Sequence, residues 1–243
     1  LVAGRRNARL AAASGGHPLY LAELIAAAGQ RDAEDVVPQD LPALLRHQIA
    51  SVEPSVRTLL ERLAVAGGPL GREILADPAV SSMPVGPAIA ELRRRRLVVS
   101  APLDGAVAFD VYHARVRDVI VSDLEAASRR GHHAALAGAI ERVRPGDDAA
   151  LATHHTGAGD LARAYGHVVR AATTATGALA FERAAGWYRT ALELAPAIGI
   201  DAADVATLEV ALGETLAAVG RLPEAAAVLQ RAGDGASVMT AGL

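Results

Sequence analysis

The chain contains no cysteine and no lysine. The first absence excludes disulfides, thiolate metal sites and cysteine nucleophiles together. The second excludes a phosphate-cradling GxxxxGK[ST] loop, Schiff-base chemistry and a kinase-type strand lysine within this chain, because each needs an ammonium group at a fixed place. All 24 positive charges are therefore arginine, and against 27 acidic residues they leave a net charge of −3 and an isoelectric point near 6.3. No global basic field draws the protein to nucleic acid or to an anionic membrane. No uncharged apolar run approaches the roughly 18 residues of a membrane span, so a cytoplasmic protein without a membrane partner is expected. Aromatic residues are scarce as well, at 3%, although hydrophobic residues make up 51% of the chain. Any core must be built from Ala, Leu, Val and Ile.

What is present forms helices. A length of 243 residues with 21% charge fits one or two globular domains. The chain starts at Leu1, and Gly4-Arg5-Arg6-Asn7-Ala8-Arg9 reads as the tail of a helix rather than a signal peptide; an excerpt of a longer protein is expected. Ala-rich segments with apolar residues three and four apart recur almost throughout. Residues 8 to 29 predict a short helix, a break at Ser14-Gly15-Gly16-His17-Pro18, and a helix from about Leu19 to Ala28 with its proline in the first turn. Residues 30 to 40 read as a polar loop. Helices are then expected from Pro42 to about Val52, from Val56 to Ala66 with an apolar stripe of Leu59, Leu60, Leu63 and Ala64, around Arg72 to Ala76, and from Val85 to Arg96. Two β-prone runs, Leu97 to Ala101 and Ala106 to Phe109, flank Pro102-Leu103-Asp104-Gly105, whose Asp-Gly signals a hairpin. Three helices followed by a hairpin is the order of a winged helix-turn-helix module, placed at 41–112.

From His113 onward the pattern returns to helices, at about 113–124, 126–143, 148–157, 160–176, 178–195, 203–219 and 222–232, with breaks at Pro145-Gly146, Gly157 to Asp160, Gly177, Pro196 to Gly199 and Gly220. Residues 113–147 read as linker helices. An internal repeat covers 148–233: Leu212-Gly213, Gly220, Glu224-Ala225, Leu229 and Ala232 sit at the relative positions of the tetratricopeptide pattern. Ala172, Ala184, Tyr188, Ala191 and Pro196 fall in the same phase, since 213 − 172 and 225 − 184 are both 41. The surplus over a unit of about 34 residues is assigned to a loop from Ala197 to Ala203. A half-unit precedes these at Gly159 to Ala164. Residues 234–243 carry no periodic signal and are expected to fray.

A lid at 1–40, a winged-helix module and helical repeats, in that order, resemble the middle of a STAND-type regulatory ATPase, and in particular the large ATP-binding regulators of the LuxR family. Ser14 to Leu24 is similar to the family's Gly-X-Pro segment, here Gly16-His17-Pro18, which implies packing of Pro18 near a bound adenine. Phe109 to Ile120 is similar to the segment that closes the family's winged-helix domain, which implies that His113 approaches the β-phosphate; relatives often follow that histidine with aspartate, where this chain has Ala114. Ser128 to Ala137 resembles the linker helix before the repeats. The resemblance implies an ATP or ADP ligand bound mainly by an upstream core, DNA binding through a C-terminal domain, a protein partner or small effector on the repeats, and a nucleotide-dependent oligomer. It implies no metal in this segment.

Each candidate has a plainer reading beside it. A histidine near pKa 6.5 at a helix N-terminus is suited to sense an anion, yet His113 equally suits a half-exposed junction. Pro18 is also a rigid helix start. The pairs His132-His133 and His154-His155 point about 100° apart within a helix, so neither chelates as an i, i+4 pair does; a joint four-histidine site requires two helices to meet in register, and surface or interface histidines are the expectation. Arg93 to Arg96 end a helix at the recognition position, where DNA contact competes with a solvated or salt-bridged face favoured by the helix dipole. Asp110, His113 and Ser100, Ser122 or Ser128 lack the GxSxG elbow of a hydrolase. Trp187 and Tyr188 read as repeat packing. The function expected is a non-catalytic, signal-receiving segment of a nucleotide-controlled transcriptional regulator. The alternatives are a helical-repeat scaffold whose winged-helix portion binds DNA, and the sensor arm of a kinase or cyclase.

Overall fold

The computed structural model describes residues 41–241. The predicted helices of residues 8 to 29, with Gly16 and Pro18, lie outside these residues. The chain divides into two units after Glu125.

In the first unit, helix α1 spans Leu41–Ala50. Helix α2, Pro54–Ala66, starts where Pro54 supplies a preset φ and the Glu53 carboxylate accepts from the N–H groups of Ser55 and Val56 at 3.0 and 3.2 Å. Those hydrogen bonds, with the Ser55 hydroxyl foremost, hold the Glu53 carboxyl below the usual range. Gly67, at φ +76°, closes α2. The predicted stripe of Leu59, Leu60, Leu63 and Ala64 is essentially fully buried. A two-residue strand β1, Leu70–Gly71, leads into the single turn α3, Arg72–Leu75. Helix α4, Val85–Arg94, precedes β2, Val98–Leu103, and β3, Ala106–Val111. At the hairpin tip Asp104 and Gly105 both take positive φ, 51° and 78°, the geometry that makes Asp-Gly a two-residue hairpin turn. The sheet is antiparallel in the order β1-β3-β2, with Leu70 opposite Phe109 and Ser100 opposite Phe109 from the other side. Helix α5, Ala114–Asp123, packs on α1 and α2, and Arg46 clasps Asp123 through Nε and Nη2 at 2.7 and 3.0 Å. Strand β1 has no counterpart in the sequence reading, because two residues cannot display a period.

The second unit is helical throughout its described length: α6 Ala126–Val143, α7 Asp148–Ala158, α8 Leu161–Gly177, α9 Phe181–Ile198, α10 Ala202–Ala218 and α11 Leu222–Ala241. Each packs chiefly on the helices before and after it in the chain. Asp147, Asp160 and Asp201 cap the starts of α7, α8 and α10, their carboxylates accepting from the N–H groups of Ala150, Arg163 and Asp204. The core is alanine with Val, Leu and one Tyr, including Ala164, Ala172, Ala184, Ala191 and Tyr188. Gly213 shows why small residues are needed: a Cβ placed there would lie 2.5 Å from Leu229 Cγ on α11.

Two helix ends differ from the periodic pattern. Helix α9 does not break at Pro196 but runs to Ile198, so the assigned loop from Ala197 shrinks to Gly199 to Asp201. Proline removes one hydrogen bond and crowds the preceding turn, but it does not oblige the helix to end; the left-handed Gly199, at φ +71°, closes it after Ile198. Helix α11 continues beyond 232 to Ala241; that stretch contains no proline to stop it.

Candidate functional site

His113 is the N-cap of α5 and is half-buried. Its Nδ1 accepts from the Arg115 N–H at 3.1 Å. An accepting Nδ1 carries no proton, so in the neutral ring the proton sits on Nε2, the form that donates to an anion. Asp110 is not a partner for a histidine base: its Oδ1 receives the Arg117 guanidinium at 2.5 Å and the Val111 N–H at 2.7 Å. Ser122 Oγ donates to the Val119 carbonyl. The Ser-His-Asp combination is not assembled from these groups.

The arginine run is tied into the fold. Arg95 Nε lies 2.8 Å from Glu91 Oε1, and its Nη1 donates to Ser51 Oγ at 2.9 Å. Arg94 lies 3.5 Å from the same carboxylate. Gln48 Nε2 donates to the Arg95 carbonyl at 2.6 Å, so the end of α4 fastens to α1. Arg93 and Arg96 are exposed, and Arg96 adopts φ +55° to leave the helix.

Histidine is concentrated elsewhere. Of the eight histidines, His132, His133, His154, His155 and His167 lie on α6, α7 and α8. His132, His154 and His155 are buried, so these are interface rather than surface histidines. His133 and His154 approach Nδ1 to Nδ1 at 3.0 Å, a distance that demands one donor and one acceptor and hence a single proton between them. Gly157 admits the His133 ring: a Cβ there would lie 2.5 Å from it. Burial, then the charge of His133 and of His155, pushes His154 down to about 4. Burial, followed by Arg129 and His132, lowers His133.

The other members of the group face α8. His155 Nε2 lies 3.0 Å from Glu141 Oε1, and the His155 and His167 rings lie parallel within 6° at a centroid separation of 5.4 Å. His167 Nδ1 lies 2.8 Å from Asp148 Oδ1, which also accepts from Arg170 Nε at 2.9 Å. Single-sequence reading considered the two histidine pairs but not His167 or Glu141. The signal was present only as spacing: Asp148 and His155 are two turns apart on one face of α7, but nothing local says that α6 and α8 flank that face.

Farther along the helices, Leu192, Leu212, Leu216 and Val228 line an open cavity of about 460 Å³ between α9, α10 and α11, with Arg189 and Glu224 at its edge. Tyr188 is buried in the core and Trp187 packs against it. Among the described residues, no helix is long and apolar enough to cross a membrane. No family model, curated protein or solved structure matches the chain.

Proposed function

We propose that the chain is a regulatory, non-catalytic segment of a nucleotide-controlled transcriptional regulator: a winged-helix-like arm followed by tetratricopeptide-like repeats that receive a partner or effector. The observation that carries this reading is the path of the first unit. Its order of helix, strand, short helix, helix and hairpin, with the sheet order β1-β3-β2, is the winged-helix order, and it delivers the chain directly to His113 at the N-terminus of α5. That position combines the positive end of the helix dipole with an imidazole whose Nδ1 is occupied by the Arg115 N–H and whose Nε2 serves as the donor, both favourable to a phosphate oxygen. Successive helix packing in the second unit and the matched small contacts Ala172, Gly213, Ala184 and Ala225, all buried, support a repeat stack. Its open cavity between α9, α10 and α11, leucine-lined with Arg189, Glu193, Glu224 and Arg231 around it, is where this reading puts the partner.

In this reading, nucleotide held by the ATPase core that the resemblance places upstream keeps the arm closed through His113 and the Gly16-His17-Pro18 segment. Partner binding on the repeats releases it, a shift between two packings. Titration of ADP into a protein carrying that core tests the role of His113. His113→Ala should weaken ADP binding about tenfold, as expected for loss of a charge-assisted hydrogen bond of about 1.5 kcal/mol; unchanged affinity and unchanged activation remove His113 from the switch. Direct DNA binding by the arm is less well supported, since Glu91 and Ser51 hold Arg95 of the run and the chain carries a net charge of −3.

A further inference from the structure

We infer that Glu141, His155 and His167 form a binding site for a divalent transition-metal ion of the zinc class, which clamps α6, α7 and α8 together. The three residues come from three successive helices, and one ligand atom of each lies within 4.8 Å of the others. A zinc ion with nitrogen and oxygen ligands at about 2.0–2.2 Å needs those atoms roughly 3.4 Å apart, so the trio must contract by about an ångström, and one of the two imidazoles, now parallel within 6°, must rotate to bring its in-plane lone pair onto the same ion. His155, 3% exposed, is held in the helix interface. Glu141, at the partly exposed edge, has the reach to close on it.

The surroundings are those of a ligand set. His167 Nδ1 faces the Asp148 carboxylate, and that carboxylate has a second donor in Arg170 Nε. Arg170 Nη2 also lies 2.7 Å from the same Nδ1, and one nitrogen cannot both donate to Asp148 and accept from Arg170. Arg170 is more than half exposed, while Asp148 is largely buried. The tautomer an ion needs has Nδ1–H on the largely buried Asp148, which leaves the Nε2 lone pair of His167 for the metal; the exposed Arg170 Nη2 must then draw back from Nδ1 while its Nε stays on Asp148. An outer carboxylate that orients a ligating imidazole in this way is the usual companion of a metal-bound histidine. Asp160 Oδ2 lies 3.9 Å from His155 Nδ1, beyond a direct hydrogen bond, and must close by about an ångström to serve the second ring in the same way.

Charge is compatible. Glu141, Asp148 and Asp160 contribute three negative charges, against which Arg163 and Arg170 set two positive ones. Arg163 is 3.8 Å from Glu141, beyond a direct hydrogen bond, and its side chain is 64% exposed, free to give way to an ion. Two imidazoles and one carboxylate suit zinc, cobalt or nickel rather than calcium or magnesium. They leave one position of a tetrahedral ion for water.

The test is calorimetric titration of zinc into the chelator-treated full chain, repeated for His167→Ala, Glu141→Gln and, as a control, His47→Ala in the first unit. The expected result is one ion per chain, binding weakened at least about tenfold in the first two variants, and unchanged binding in the control. Because a variant may lose helix packing, imidazole nitrogen NMR spectra of the wild-type chain provide the second measurement: zinc should shift His155 and His167 and leave His47 in place. Absence of saturable binding to the wild type, binding that survives both ligand variants, or a zinc shift confined to other histidines overturns the site.

Discussion

At the scale of single residues, the two chemically informative positions are imidazoles held by opposite means. His113 is fixed by a backbone N–H at a helix start; His154 is fixed by burial and by another ring. The second has a consequence for stability. In the folded chain His154 titrates at about 4, whereas in the unfolded chain it returns to the ordinary value near 6.5. As pH falls the unfolded state takes up the proton first, so folding stability is intact above pH 6.5 and is lost progressively between 6.5 and 4. The loss is of the order of 3 kcal/mol, with His133 adding in the same direction. Denaturant melts in the presence of EDTA should therefore weaken steeply over this range for the wild type and less steeply for His154→Asn, which keeps a polar atom near Nδ1 but does not titrate. Equal slopes would show that the burial of His154 is not what sets the acid limb.

At the scale of elements, the stack is governed by how closely alanine and glycine let helices approach. Gly213→Val should destabilise the chain by about 1–3 kcal/mol, because the added carbons enter the space of Leu229. Leu229→Ala in the same chain should recover part of the loss, a coupling that a double-mutant cycle measures directly; strict additivity would mean that α10 and α11 do not meet at this point. The need for a small residue at Gly213 was legible in the sequence, from its place in the repeat pattern, but its partner Leu229 was not, because the offset aligns equivalent positions and does not say which side chains meet. The α2 stripe and the hairpin were legible, because each depends on neighbours along the chain: leucines spaced at helical intervals, and an Asp-Gly able to take two positive φ values. Strand β1 was not legible, for its two residues become a strand only by pairing with Ala108 and Phe109, almost forty positions away. The end of α9 lies beyond Pro196 because the proline weakens only the turn before it, while the stop is the left-handed Gly199. The Glu141, His155 and His167 group was invisible for a third reason: it requires α7 to be flanked on one face by both α6 and α8, which is a property of the stack and not of any segment.

At the scale of the whole molecule, the absences that open the sequence reading acquire a physical sense within the proposed function. A chain without lysine has no ammonium point charge with which to grip a nucleotide phosphate, and several of its arginines are paired with carboxylates: Arg46 with Asp123, Arg95 with Glu91, Arg117 with Asp110 and Arg221 with Glu224. What it offers an anion instead, in the proposed function, is a helix start with an imidazole whose Nδ1 is already engaged by the backbone. The central claim is thus that the N-terminus of α5 is where the nucleotide state is read. Hydrogen exchange tests this most directly. In a protein carrying the upstream ATPase core, addition of ADP should slow exchange at the amides of residues 113–117, and His113→Ala should abolish that protection. Exchange at these amides that does not respond to saturating ADP would contradict the account.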